Sequence, residues 1–227
     1  MAMTPRASQR CSYGSSGELA VPAAGVVGTG SVTGGPRVVR GGPDRRPGEK
    51  VAACNHGVVP VSLVLTSDTH VPKRARDLPH ALWREIAAAD VVVHAGDWVD
   101  AALLDLFEQR AHRLVTVYGN NDHGVLRQRL PEVAHDEIEG LRFAVVHETG
   151  DAKERETRCA ARFPDADVLV FGHSHIPWDT TAPNGLRLIN PGSPTDRRRQ
   201  PHGTFVTAVA DAGRLRDVVF HAVPPRS

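Results

Sequence analysis

The stretch DVLVFGHSHIPW, Asp167 to Trp178, decides how this chain is read. Val168 to Phe171 form a short, wholly apolar run, which reads as a buried strand. Gly172 ends it, and His173 and His175 follow two residues apart. A buried strand that presents two imidazoles together at its carboxyl end predicts a partner set elsewhere in the chain.

The same texture recurs on the N-terminal side. VPVSLVLTSDTH is an apolar strand that ends in Asp68 and His70, and VVVHAGD is another that ends in Asp97. RLVTVYGNND leads into Asn120, and LRFAVVHETG into His147. LPHALWREIAAAD places Leu78, Leu82, Ile86 and Ala89 at helical spacing with Asp77 as the expected N-cap, and Asp100 opens a second helix, AALLDLFEQRA. A short helical piece runs to Leu130. HDEIEGLRFAVV reads as a hairpin turned at Glu139-Gly140, and AKERETRCAARF as a polar helix. LRLINPGS, TFVTAVAD and RLRDVVFHA complete the set as strands, the last two joined at Ala212-Gly213. Early βαβ units followed by antiparallel strands predict an α/β domain of two mixed sheets face to face with helices outside, over residues 59–227. Residues 1–58, dense in Gly, Pro, Ser and Arg and without periodicity, read as a separate disordered tail.

Composition narrows the class. In 227 residues, 27 Lys+Arg stand against 26 Asp+Glu, a net charge of +1 that argues against nucleic acid as a partner. No apolar run reaches the roughly 18–20 residues of a membrane-spanning helix. The three cysteines, Cys11, Cys54 and Cys159, make no disulfide framework, and no signal sequence is seen at the N-terminus, so a cytoplasmic location is expected.

Seven carboxylate, amide and imidazole side chains therefore follow apolar runs: Asp68, His70, Asp97, Asn120, His147, His173 and His175. In open α/β sheets such groups gather at one rim. Residues two apart in an extended segment point the same way, so DTH and HSH can each aim two ligands into one pocket. Mixed carboxylate and imidazole ligation suits Mn²⁺, Fe²⁺, Zn²⁺ or Co²⁺, and Mn²⁺ is the ion expected here. One carboxylate can bridge two such ions about 3.5–4 Å apart. Glycines 96, 119 and 172 are expected to let the backbone turn sharply beside them.

The ordered series DTH, GD, GNND, H and GHSH resembles the calcineurin-like metallophosphoesterases, and the short chain with NPGS (Asn190–Ser193) is most similar to their YfcE-like phosphodiesterase branch. The resemblance covers about residues 61–223. It implies a four-layer sandwich and two divalent metal ions, one held by Asp68, His70, Asp97 and His175, the other by Asp97, Asn120, His147 and His173. It also implies hydrolysis of a small phosphoester by a hydroxide bridging the ions. Two departures stand out. The fourth block is His147-Glu148-Thr149-Gly150 where many relatives carry His-Gly-His. Asn121 stands where a histidine protonates the leaving group in many phosphoesterases, which favours esters with good leaving groups, such as aryl phosphodiesters.

Other residues read more plainly. Asp122 either orients the ligands or is a turn aspartate. His94, inside a strand, reads as buried and structural, His123 as a loop histidine, and Arg197 to Arg199 as a solvated run. Asn190 and Ser193 either shape the pocket floor or simply turn the chain. A non-catalytic protein-binding scaffold of the same fold is the competing function. The NPGSPTDRRRQP segment and the exposed sheet edges offer surfaces for pairing into a homo-oligomer.

Overall fold

The computed structural model describes residues 59–223. The expectation of a disordered tail over residues 1–58 lies outside the described residues.

Two five-stranded mixed sheets face each other. In the first, β1 (Val61–Thr66), β2 (Val91–His94) and β3 (Leu114–Thr116) run parallel, and β9 (Gly203–Asp211) and β10 (Arg214–Val223) extend it antiparallel, in the order β10-β9-β1-β2-β3. In the second, β5 (Leu141–Val146), β6 (Val168–Phe171) and β8 (Arg187–Asn190) are parallel. They are flanked by antiparallel β4 (Val133–Ile138) and β7 (Trp178–Thr181), in the order β4-β5-β6-β8-β7.

The alternation of side chains along a strand sorts the apolar residues into three layers. Leu63, Leu65, Val93, Phe143, Val145, Val168, Val170 and Val206 pack between the sheets. Val64 and Val92 point the other way, against Leu82, Trp83 and Ile86 of α1 (His80–Ala88) and Leu103, Leu104 and Phe107 of α2 (Ala101–Arg110). Ala144, Leu169 and Leu188 face outward from the second sheet, where Cys159 of α4 (Arg155–Arg162) packs on them. The order helix, sheet, sheet, helix is the four-layer sandwich that the sequence predicts. A short α3 (Val125–Arg129) follows β3. No helix among the described residues is long and apolar enough to cross a membrane.

Local chemistry sets most boundaries. Asp100 caps α2, accepting from the amide of Ala102 at 2.9 Å. Glu139-Gly140 and Ala212-Gly213 each place two successive residues at positive φ, the backbone a tight hairpin requires. Asp77 does not cap α1 as expected. Pro79 is extended at φ −57, ψ 138, so the helix starts at His80, and the Asp77 carboxylate instead accepts from Leu78 N and Trp83 Nε1. The strand β7, which the sequence reading lacks, pairs with β8 through Trp178–Thr181.

Candidate metal centre

The parallel strands β1, β2 and β3 of one sheet and β5 and β6 of the other end at a common rim, and all seven singled-out residues follow those ends. The loops do not stay extended there. Asp68, His70, Asp97, His173 and His175 all have positive φ, between 44 and 68. The expectation that DTH and HSH act as extended segments is therefore corrected: each chain turns back through left-handed residues, which cost energy for a non-glycine residue and persist where surrounding contacts over-determine them. Those contacts are visible. The Asp68 amide donates to Gly96 O and the His70 amide to Asp97 O, while the His173 amide donates to the Asp68 carboxylate at 3.0 Å.

The glycines work differently from expectation as well. Of the three only Gly96 has positive φ. At Gly119 a Cβ would overlap the Asp97 carboxylate, and at Gly172 it would come within 2.8 Å of Asp68 Oδ2. Close approach, not turning, explains these two.

The seven side chains fall into two groups that share Asp97. On one side, His70 Nε2 and His175 Nε2 lie 3.2 Å apart, with His175 Nε2 3.2 Å from Asp68 Oδ1 and His70 Nε2 3.5 Å from Asp97 Oδ2. On the other, Asn120 Oδ1 is 3.0 Å from both His147 Nε2 and His173 Nδ1, and His147 Nε2 is 3.4 Å from Asp97 Oδ1. Asp97 thus turns one oxygen to each group. Asp68, Asp97, His70, His147 and His175 are buried, while Asn120 and His173 are exposed at the mouth.

These residues fit divalent cations. His147 Nδ1 donates to Ala95 O at 2.7 Å and His175 Nδ1 to Asp196 O at 2.6 Å, so in each neutral ring the proton sits on Nδ1. Their bare Nε2 lone pairs then point at carboxylate and amide oxygens. Converging lone pairs repel unless a cation or a proton lies between them. The ionisation pattern agrees. Burial disfavours charge on His147, yet the hydrogen bond to Asp97 and the charges of Asp68 and Asp97 outweigh it and push its pKa up to about 9. Burial likewise opposes ionisation of Asp68 and Asp97, but their histidine partners prevail and hold both carboxyls below the usual range. For His70 burial wins over Asp97 and Asp68, and its pKa is lowered.

Behind the donors, Asp122 is fully buried and accepts from the amides of Asp97, Val99 and Gly119 at 3.0, 2.7 and 2.7 Å. It orients the loop that carries Asp97; it does not touch a histidine ligand. Asn121 donates from its amide and its Nδ2 to the two Asp97 oxygens at 2.8 and 2.7 Å. Ser193 donates to Asp68 O, and Asn190 to Gly172 O, so the NPGS turn braces the two loops it lies beneath. His94 is buried and stacked 3.5 Å from Trp98, accepting from Gly96 N and donating to Thr69 Oγ1. His123 is exposed. Arg198, read from sequence as solvated, donates to His173 O at 3.2 Å. A cleft of about 420 Å³ opens beside Asn120 and His147, lined by Tyr118, Arg127, Glu132, Glu148 and Arg162.

Residues 61–213 match the calcineurin-like phosphoesterase superfamily domain. The chain belongs to that family. A probable metallophosphoesterase of Methanocaldococcus jannaschii is 35% identical over 130 residues, which are 57% of this chain and 66% of that protein, just under two thirds of its length. A solved structure of a Thermotoga maritima protein superposes with a TM-score of 0.58 at 29% identity, covering 71% of this chain and 99% of that one. Vacuolar protein sorting 29 of Cryptosporidium parvum shares the fold at a TM-score of 0.59 and 19% identity, over 71% of this chain and 97% of that one.

Proposed function

We propose that this chain is a metal-dependent phosphodiesterase that hydrolyses small phosphoesters at a dinuclear centre, with Mn²⁺ as the preferred ion and Fe²⁺, Zn²⁺ or Co²⁺ as substitutes. The observation that carries the reading is the convergence of imidazole nitrogens with carboxylate and amide oxygens in two groups joined by Asp97. Divalent ions bound there supply Lewis acidity, which acidifies water and offsets charge on phosphoryl oxygens. Asp68, His70 and His175 form one wall, wholly buried; the other pairs buried His147 with exposed Asn120 and His173. Asp122 and Asn121 keep Asp97 aimed between them.

The cleft beside Asn120 and His147 gives room for the ester's organic groups. Arg127 lies over the Tyr118 ring at 4.5 Å and donates to the carbonyl of Asp122 at 2.6 Å, so it presents a fixed positive edge to an anionic ester. Asn121 is committed to Asp97 and cannot release a proton, so departure rests on the leaving group's own stability. Rates should fall steeply as the leaving group becomes more basic.

The test is hydrolysis of bis-p-nitrophenyl phosphate by chelator-stripped protein with Mn²⁺ restored, alongside Asp97→Ala. Turnover that returns with Mn²⁺ and drops at least 10³-fold in the variant, about 4 kcal/mol at the transition state, is expected. A folded chain inert with all four ions would overturn the reading and favour the protein-binding scaffold.

A further inference from the structure

Glu148 stands where the resembling sequences carry the glycine of His-Gly-His, and the structure places its carboxylate at the open side of the candidate centre. β5 ends at Val146, immediately before His147 and Glu148. His147 turns inward and is buried, whereas Glu148 lies on the rim. Its Oε1 is 3.7 Å from His173 Nδ1. One donor atom each from His147, Glu148 and His173 lies within 4.8 Å of the other two. Ligands about 2.0–2.2 Å from a shared ion stand roughly 3–4.4 Å apart, so small side-chain adjustments bring all three onto one ion.

No arginine or lysine lies at ion-pair distance from this carboxylate among the described residues; the His173 ring does. The nearby Arg162 donates instead to the Glu148 carbonyl at 3.4 Å. The chemistry is also complementary. The open group has two imidazoles, one amide and a single shared carboxylate, and lacks a full negative charge of its own.

We infer that Glu148 is a ligand of the second cation, a fifth protein donor beside Asp97, Asn120, His147 and His173. The inference rests on the metal-dependent reading of the site. A carboxylate added there brings a hard oxygen donor and tilts that position toward Mn²⁺ over softer ions.

The experiment is Mn²⁺ binding to the chelator-stripped full chain, followed by calorimetry and by the loss of the free aqueous Mn²⁺ resonance signal. Glu148→Gln keeps the shape and removes the charge; Glu137→Gln, on the exposed face of β4, controls for overall charge. Glu148→Gln is expected to weaken one of two Mn²⁺ affinities tenfold or more and leave the other unchanged. Glu137→Gln should change neither. A Glu148→Gln isotherm identical to the unsubstituted protein, with two ions bound in both, sinks the inference alone. Fewer than two Mn²⁺ bound by the unsubstituted protein removes the dinuclear reading, and the inference with it. Circular dichroism of the metal-free variants establishes that each is folded.

Discussion

Asp97 is held at both carboxylate oxygens by Asn121 and at its amide by Asp122, and each oxygen looks toward a different group of donors. That preorganisation sets an expected pH behaviour. His147, with a pKa near 9 in the metal-free fold and an ordinary 6.5 when unfolded, stabilises the fold fully below 6.5. That contribution is lost as pH rises through 9. His94 is driven down to about 3 by burial, so the unfolded chain takes up a proton below 6.5 that the fold refuses. Its share, and those of His70, Asp68 and Asp97, fade as pH drops. Metal-free protein should therefore be most stable near pH 6.5, as read by chemical denaturation in chelator from pH 5 to 9. With Mn²⁺ the alkaline decline should vanish, because the ion takes His147 Nε2 in place of the proton. A metal-free maximum at pH 8 or above would contradict this. The donor residues themselves were legible in the sequence because each follows an apolar run. Their supports were not: nothing in the spacing says that Asn121 clasps Asp97, that Asp122 collects three amides, or that Arg198 reaches His173 O.

At the scale of elements, the runs and turns that follow simple periodicity came through: β1, β2, β6, both hairpins and the Asp100 cap. The misses have specific causes. WDTT in β7 is short, with three polar residues in a row, and becomes a strand only because β8 supplies its partner. The DTH and HSH loops look like continuations of their strands, and only tertiary contacts force them left-handed. Loop proximity between β2 and β3 likewise escapes a linear reading. Gly119 has no room for a side chain, since a Cβ would overlap Asp97. Gly119→Ala is expected to leave the protein folded, since the clash is confined to the rim. It should reduce Mn²⁺-dependent turnover at least tenfold by displacing the shared carboxylate. Turnover within twofold of the unsubstituted protein would show that the loop can yield without consequence.

At the scale of the molecule, the candidate donors come from both sheets: Asp68, His70, Asp97 and Asn120 from the first, His147, His173 and His175 from the second. Ions bound between them join the sheets, so occupancy should appear as global stability. At a free Mn²⁺ concentration 100 times the dissociation constant, one site contributes about 2.7 kcal/mol. For a domain of this size that is a rise in Tm of roughly 5–10 °C. Asp97→Ala should abolish the rise, and a melt insensitive to Mn²⁺ in the unsubstituted protein would speak against binding to the folded state.

The packing between the sheets acquires a second meaning from this. Leu65, Val93, Val145 and Val170 are buried between the sheets and carry no charge, yet their bulk sets how far apart the two rows of donors stand. The hydrocarbon layer is a gauge block, and the tolerance of the chemistry is machined in methyl groups. A valine trimmed to alanine there would shift the calibration of the cation grip well before the fold itself gave way.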